Sequence, residues 1–126
     1  MEKYINIKTF EDALKSKKIK LRELSLAYGE QIIIGWIQAW LINLSGYMNF
    51  SITEQQAKTT AIFILEDCYM FNLAEFTLLF RKINRGNYGQ FYGQFNGQII
   101  MAACKEYRNQ RGKVLSGLSE EEQKQI

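Results

Sequence analysis

The sequence predicts an all-α protein, a compact bundle of about five helices with a glycine- and aromatic-rich loop before the last long helix. Three observations carry this expectation. The 126 residues include no proline, so the commonest helix breaker is missing throughout. Apolar residues recur at three- and four-residue steps over much of the chain, the period of a helix with one buried face. Two segments open with reciprocal capping signatures, Thr53 with Gln56 and Asn72 with Glu75, in which side chain and backbone satisfy each other's open groups at a helix start.

Thr9, with Asp12 three positions on, opens a short helix through Leu14 that turns Phe10, Ala13 and Leu14 inward. Lys15 to Lys20 is polar and basic, a solvated connection. From about Leu21 to Leu44, Leu24, Tyr28, Ile32, Trp36 and Trp40 follow at four-residue steps, with Ile33, Ile37 and Leu41 beside them. Gly29 and Gly35 each weaken a helix interior by about 1 kcal/mol relative to alanine, which leaves residues 21–44 open as one helix or two. The stretch from Ile32 to Leu44 is 13 residues long and broken by Gln38 and Asn43, short of the roughly 20 apolar residues that span a bilayer. It reads as a central core helix, and its apolar character on all sides leaves self-association open. Ser45-Gly46 is the expected stop.

The helix capped by Thr53 points Ala57, Thr60, Ala61, Ile64, Leu65 and Cys68 inward and Lys58, Glu66 and Asp67 outward. The helix capped by Asn72 buries Phe76, Leu79, Phe80 and Ile83 and ends at Arg85-Gly86. Residues 87–98 carry three glycines and no charge, and repeat Tyr-Gly-Gln-Phe imperfectly; this is a loop. A last long helix runs from about Gln98 to Arg111, burying Ile99, Ile100, Ala103, Cys104 and Tyr107, with Gly112 closing it. The tail from Ser119 places Glu120, Glu121 and Glu122 at the start of a final turn, where they suit the helix dipole. The whole is a single domain, 1–126, with residues 1–20 and 113–126 peripheral.

Composition sets the outer bounds. Apolar residues make up 47% of the chain and charged ones 23%, the balance of a packed globule. Cys68 and Cys104 lie far apart, each in an apolar stretch, which fits buried free thiols in a reducing cytoplasm. The first residues, Met1 to Asn6, lack the basic-then-apolar pattern of a secretory signal. There is no histidine, which removes histidine-based triads, the HExxH zinc site and histidine acid–base chemistry. Two isolated cysteines make no multi-cysteine zinc site. Arg85-Gly86-Asn87-Tyr88-Gly89 follows a helix and lacks the Lys-Ser/Thr ending of a phosphate-binding loop. The adjacent acids Glu66-Asp67 and Glu11-Asp12 point about 100° apart on a helix and do not converge. No enzyme activity, metal or cofactor is expected.

The charge is segregated beneath its net value of +3. Residues 81–113 hold seven Lys/Arg against one acid, whereas residues 30–80 hold one against five. Arg81, Lys82 and Arg85 fall on the last turns of one helix, where cations also complement the dipole. Lys105, Arg108 and Arg111 follow at three-residue steps along what is expected to be the outward face of the next. Two readings stay open. The cations are a solvated face and the loop aromatics tuck into the core, or the cations neutralise phosphates while Tyr88, Phe91, Tyr92 and Phe95 stack on bases. On the second reading the nucleic-acid-binding residues are Arg81, Lys82, Arg85, Tyr88, Tyr92, Lys105, Arg108 and Arg111.

Leu73-Ala74-Glu75-Phe76, then Phe80-Arg81-Lys82-Ile83-Asn84-Arg85-Gly86-Asn87-Tyr88-Gly89, Tyr92-Gly93, Asn96-Gly97-Gln98-Ile99-Ile100 and Tyr107-Arg108-Asn109-Gln110-Arg111 resemble a pattern in short all-helical accessory proteins of bacteriophages and mobile elements. The resemblance covers about residues 53–111. Its most specific part is Lys-x-x-x-Gly-x-Tyr-Gly followed by a helix ending in Tyr-x-x-x-Arg. It implies a small accessory protein encoded beside replication or host-takeover functions, working in the cytoplasm of the bacterial host, and brings no catalytic residues with it. The expected function is therefore a non-enzymatic accessory protein of phage or mobile-element DNA metabolism, meeting nucleic acid or a replication protein through residues 81–113. The alternative is a protein-binding inhibitor or adaptor that blocks a host enzyme or defence protein, with Asn87 to Gln98 or the acidic tail as its contact.

Overall fold

A computed structural model describes residues 9–16 and 18–126. These form seven helices in the order α1 Phe10–Leu14, α2 Leu21–Tyr28, α3 Glu30–Met48, α4 Glu54–Cys68, α5 Leu73–Asn84, α6 Gly97–Ser116 and α7 Glu120–Lys124. Among the described residues extended pairing is confined to two isolated bridges, Lys20 with Asn72 and Ser51 with Gln94. The all-α expectation holds. The count exceeds five because residues 21–44 divide between two helices and the tail forms a helix of its own.

The division falls at Gly29. Its φ of 91° and ψ of 146° interrupt the helical hydrogen-bond ladder, and a side chain at that φ is strained. Its N–H still closes α2 on the Ser25 carbonyl at 2.8 Å. The glycine stops expected further on behave differently. α3 runs through Gly46 to Met48, and Asn49 supplies the left-handed cap at φ 57°, a conformation asparagine tolerates better than most residues. α6 likewise passes Gly112 and ends at Ser116. A glycine permits a stop without imposing one, and here continued backbone hydrogen bonding outweighs its cost of about 1 kcal/mol. Gly86, just beyond Arg85 at the end of α5, does take a left-handed φ of 77°.

The centre of the molecule is α5 and not the apolar stretch of α3. Eight of the 12 residues of α5 are buried, including Glu75 and Thr77. α3 buries Ile33, Ile34, Ile37, Leu41 and Leu44 along one side, while Ile32 and Ile42 are 62% and 53% exposed. Its inward stripe therefore sits one position past the row through Tyr28 and Ile32. Trp36 and Trp40 lie at its border, with ring centroids 4.9 Å and 5.7 Å from Phe76, and Trp40 is 5.3 Å from Phe80. On α4 the six residues expected inward, Ala57, Thr60, Ala61, Ile64, Leu65 and Cys68, are all buried.

The first described helix is part of the core, contrary to the expectation that residues 1–20 lie at the periphery. Ala13 and Leu14 are buried, and Asn72 holds the end of α1 by donating from Nδ2 to the carbonyls of Ala13 at 2.9 Å and Ser16 at 3.3 Å. The backbone beside it is zipped to the turn before α5, with Leu21 N–H donating to Phe71 at 2.8 Å and Leu73 N–H to Ile19 at 3.1 Å. Residues 1–8 and 17 of that expectation lie outside the described residues. α7 stays on the surface, tied by the Lys15–Glu122 ion pair at 2.7 Å and by Gln123 Nε2 donating to the carbonyls of Leu115 and Leu118 at 3.0 Å. No helix among the described residues is long and apolar enough to cross a membrane.

Candidate binding cleft and basic surface

The loop between α5 and α6 is anchored from below and open above. Ser51 N–H donates to the Gly93 carbonyl at 3.1 Å, and Phe95 N–H donates to the Ser51 carbonyl at 3.0 Å. Gly93 reaches this pairing with a φ of 85°, which a side chain would strain. The turn sends Phe91 and Phe95 down onto the buried Phe50, with centroids 4.4 Å and 5.7 Å away. Tyr92, between them in sequence, points out and is 89% exposed. Of the four loop aromatics considered for base stacking, Phe91 and Phe95 are thus structural anchors.

Between this loop and the first turns of α4 lies a cleft of about 860 Å³. Gln55 and Gln56 line it from α4, and Gln90, Gln94, Asn96 and Gln98 from the loop and the start of α6. Thr59 and Thr60 add hydroxyls; Phe63, Phe91, Tyr92 and Phe95 add rings; Ile99 and Met101 close the wall. None of its lining residues is charged. Amides both donate and accept hydrogen bonds but neutralise nothing, so the cleft suits a neutral ligand with its own donors, acceptors and apolar groups. Several of the polar groups are committed: Gln56 Oε1 accepts from Thr53 N–H at 2.9 Å, Thr53 Oγ1 accepts from Gln56 N–H at 3.0 Å, Gln55 Nε2 donates to Thr59 Oγ1, and Asn96 Oδ1 accepts from Gln98 N–H at 2.9 Å. Gly97 is part of the lining, and a Cβ there would meet the Phe95 ring at 3.4 Å and Thr60 Oγ1 at 3.5 Å.

The predicted cations are dispersed by the helix geometry. A three-residue step turns about 300°, so the row Lys105, Arg108, Arg111 winds by about 60° per step around α6. Lys105 is exposed and Arg108 half-buried, and the Arg111 side chain is only 12% exposed. Arg111 Nε donates to Glu75 Oε2 at 2.5 Å, and its guanidinium lies 5.7 Å from the Phe71 ring. It belongs to the core, a correction to its place on an outward face. Arg108 Nε is buried without a hydrogen-bond partner. On α5, Lys82 Nζ sits 4.7 Å over the Phe10 ring, Arg81 is half-buried and Arg85 is exposed. Tyr88 is half-buried, and burial pushes its hydroxyl up to about 12. Arg85, Lys105 and Tyr92 are thus the exposed members of the predicted set, and Tyr92 is the member that lines the cleft.

The contribution of α4 is what sequence reasoning missed. Gln55, Thr59 and Phe63 follow at four-residue steps on its exposed side, with Gln55 Nε2 donating to Thr59 Oγ1 at 3.1 Å and Phe63 47% exposed. An outward helix row without charge, ending in an aromatic, was the available signal. Among the described residues no group of three or more His, Cys, Asp and Glu could hold a metal ion. Cys68 and Cys104 are free and buried; hydrogen bonding to Cys104 and burial push the Cys68 thiol far above its ordinary range, which keeps it from being a thiolate nucleophile at neutral pH.

Comparison of the chain with protein-family models, curated proteins and solved structures yields no match.

Proposed function

We propose that the protein is a binding protein without a reaction of its own, an adaptor or inhibitor that grips a neutral segment of a partner protein in the cleft between α4 and the loop. The uncharged lining of amides, hydroxyls and aromatic rings carries this reading. A peptide segment offers backbone donors and acceptors for the amides and side chains for Tyr92 and Phe63, and aromatic side chains exposed beside polar ones are common where proteins meet. The resemblance of residues 53–111 to accessory proteins of phages and mobile elements suits such a role. The test is capture of partners from host lysate by wild type, by Tyr92→Ala/Phe63→Ala, and by Arg81→Ala/Arg85→Ala/Arg108→Ala. One stoichiometric protein retained by wild type and the arginine variant but lost by the cleft variant supports the reading. Equal retention by the cleft variant sinks it.

A second reading is favoured by the exposure of Arg85 and Lys105, with Arg81, Lys82 and Arg108 half-buried: nucleic acid held by its phosphates. Such binding falls steeply with salt. Labelled single- and double-stranded DNA at low and moderate salt tests it, and undetectable binding at low salt, or binding indifferent to the triple arginine change, removes it.

A further inference from the structure

The hydrogen bonds around the cleft divide its polar lining into groups already spent and groups left over. Gln56 Oε1 accepts the Thr53 N–H, and Asn96 Oδ1 accepts the Gln98 N–H. A backbone N–H meets the oxygen of an amide and not its nitrogen, so these bonds settle which end of each side chain is taken. Gln56 Nε2 and Asn96 Nδ2 are the ends left over, and neither has a partner among the described residues. The Thr53 hydroxyl likewise spends its oxygen on the Gln56 N–H and keeps its proton. Gln55 gives one N–H to Thr59 Oγ1 and keeps the other with its Oε1. Capping the starts of α4 and α6 has thus consumed oxygens and left N–H and O–H groups, so the cleft is richer in donors than its amide composition alone implies.

A donor-rich, uncharged lining selects among the segments a partner can offer, given that the cleft is where a partner is gripped. An ordinary extended segment brings an N–H with every carbonyl. A helix brings neither, because its backbone groups are spent on one another. A proline-rich segment in the polyproline II form brings carbonyls alone, since proline has no N–H and this helix has no internal hydrogen bonds to occupy its carbonyls. It is also stiff before it binds, so little ordering is lost on docking. The apolar part of the lining suits the same occupant. The Phe91 and Phe95 rings lie 10° from parallel with centroids 6.1 Å apart, and Tyr92 and Phe63 add rings that solvent reaches, 89% and 47% exposed. Proline rings dock on aromatic-lined grooves of this kind. We infer that the cleft takes a neutral, proline-rich segment in the polyproline II form, with its carbonyls on the free N–H groups of Gln56 and Asn96 and its rings against Tyr92 and Phe63.

Isothermal titration calorimetry of the full chain with capped decaproline reads this, against a capped Gly-Ser peptide of equal length. Decaproline is expected to bind with a dissociation constant of about 10–100 μM, at least about tenfold tighter than the control. The decisive variant is Gln56→Glu/Asn96→Asp. The acids keep the capping oxygens and suit a helix start as well as the amides do, while each replaces an NH2 group by an oxygen that repels a carbonyl. Thermal unfolding should therefore match wild type, and decaproline affinity should fall at least about tenfold. Tyr92→Ala/Phe63→Ala, at exposed positions, should weaken binding as much, with circular dichroism confirming that both variants are folded. Wild type that binds decaproline no better than the Gly-Ser peptide overturns the inference, as does an acidic variant that binds it as wild type does. Either result leaves the cleft as the gripping site if Tyr92→Ala/Phe63→Ala loses its partner from lysate, whereas retention of that partner takes both readings down.

Discussion

Glu75 divides its carboxylate between two helices: Oε1 accepts the Asn72 N–H at 3.2 Å and completes the cap of α5, and Oε2 takes Arg111 of α6 at 2.5 Å. The pair is buried, with Glu75 at 1% and Arg111 at 12% exposure. Removing one partner strands the other charge in the interior, at a cost of about 3–5 kcal/mol, whereas replacing both is far milder. Arg111→Met is expected to lower unfolding free energy by about 3 kcal/mol. Glu75→Gln/Arg111→Met should lose clearly less than the two single changes added together. Urea titration of the four proteins measures this, and additive losses would show that the two residues act independently.

The same carboxyl makes stability depend on pH. Burial holds the Glu75 carboxyl above its ordinary range, outweighing Arg111 beside it. A folded-state pKa raised above the unfolded value, about 4.3, contributes stability that is fully present below that value and lost as pH rises through the folded one. Relative to Glu75→Gln, wild type should therefore gain stability as pH is lowered from 7 toward 4.5. Paired urea melts across that window test it, and a gap that shrinks on acidification contradicts it.

The Asn72 side chain makes three hydrogen bonds. Its Oδ1 accepts from Glu75 N–H at 2.9 Å while Nδ2 holds the Ala13 and Ser16 carbonyls. Asn72→Ala loses a cap worth about 1 kcal/mol and leaves the buried Ala13 carbonyl without this donor, at roughly 1–3 kcal/mol. Thermal unfolding should show a loss larger than Thr53→Ala, whose capping box is solvent-exposed. Native-state hydrogen exchange should show α1 opening first.

Two glycines should respond in opposite directions to the same substitution. Gly29→Ala forces a side chain into φ 91° and is expected to destabilise by about 1 kcal/mol or more. Gly112→Ala, inside α6 with open space around it, should stabilise by up to about 1 kcal/mol. Chemical denaturation of both variants decides the matter, and a stabilising Gly29→Ala would mean the two helices prefer to be one.

The helices, both interior capping boxes and the inward face of α4 were legible because they depend on neighbours three and four residues away. What escaped depends on partners far along the chain. The sequence of α3 shows apolar residues all round it, and only the positions of α4 and α5 decide that Ile33 and Ile37 go in while Ile32 and Ile42 stay out. Arg111 looks like one more surface cation until α5 delivers Glu75 to it. The candidate site was half visible: Tyr92 and the uncharged loop stood out, but Gln55, Thr59 and Phe63 join them only through the fold. The glycines misled where they were read as stops, since Gly46 and Gly112 lie within helices that are capped later, at Asn49 and Gly117.

Ser51 meets Gly93 and Phe95 across roughly forty residues of chain, and contacts of such long range are slow to form because the loop between them must close first. The outer wall of the cleft is accordingly expected to form only with the folded arrangement that brings its two ends together. The cleft is thus a reporter of the native state: a ligand that fills it binds the folded chain and not the unfolded one, and so raises its stability.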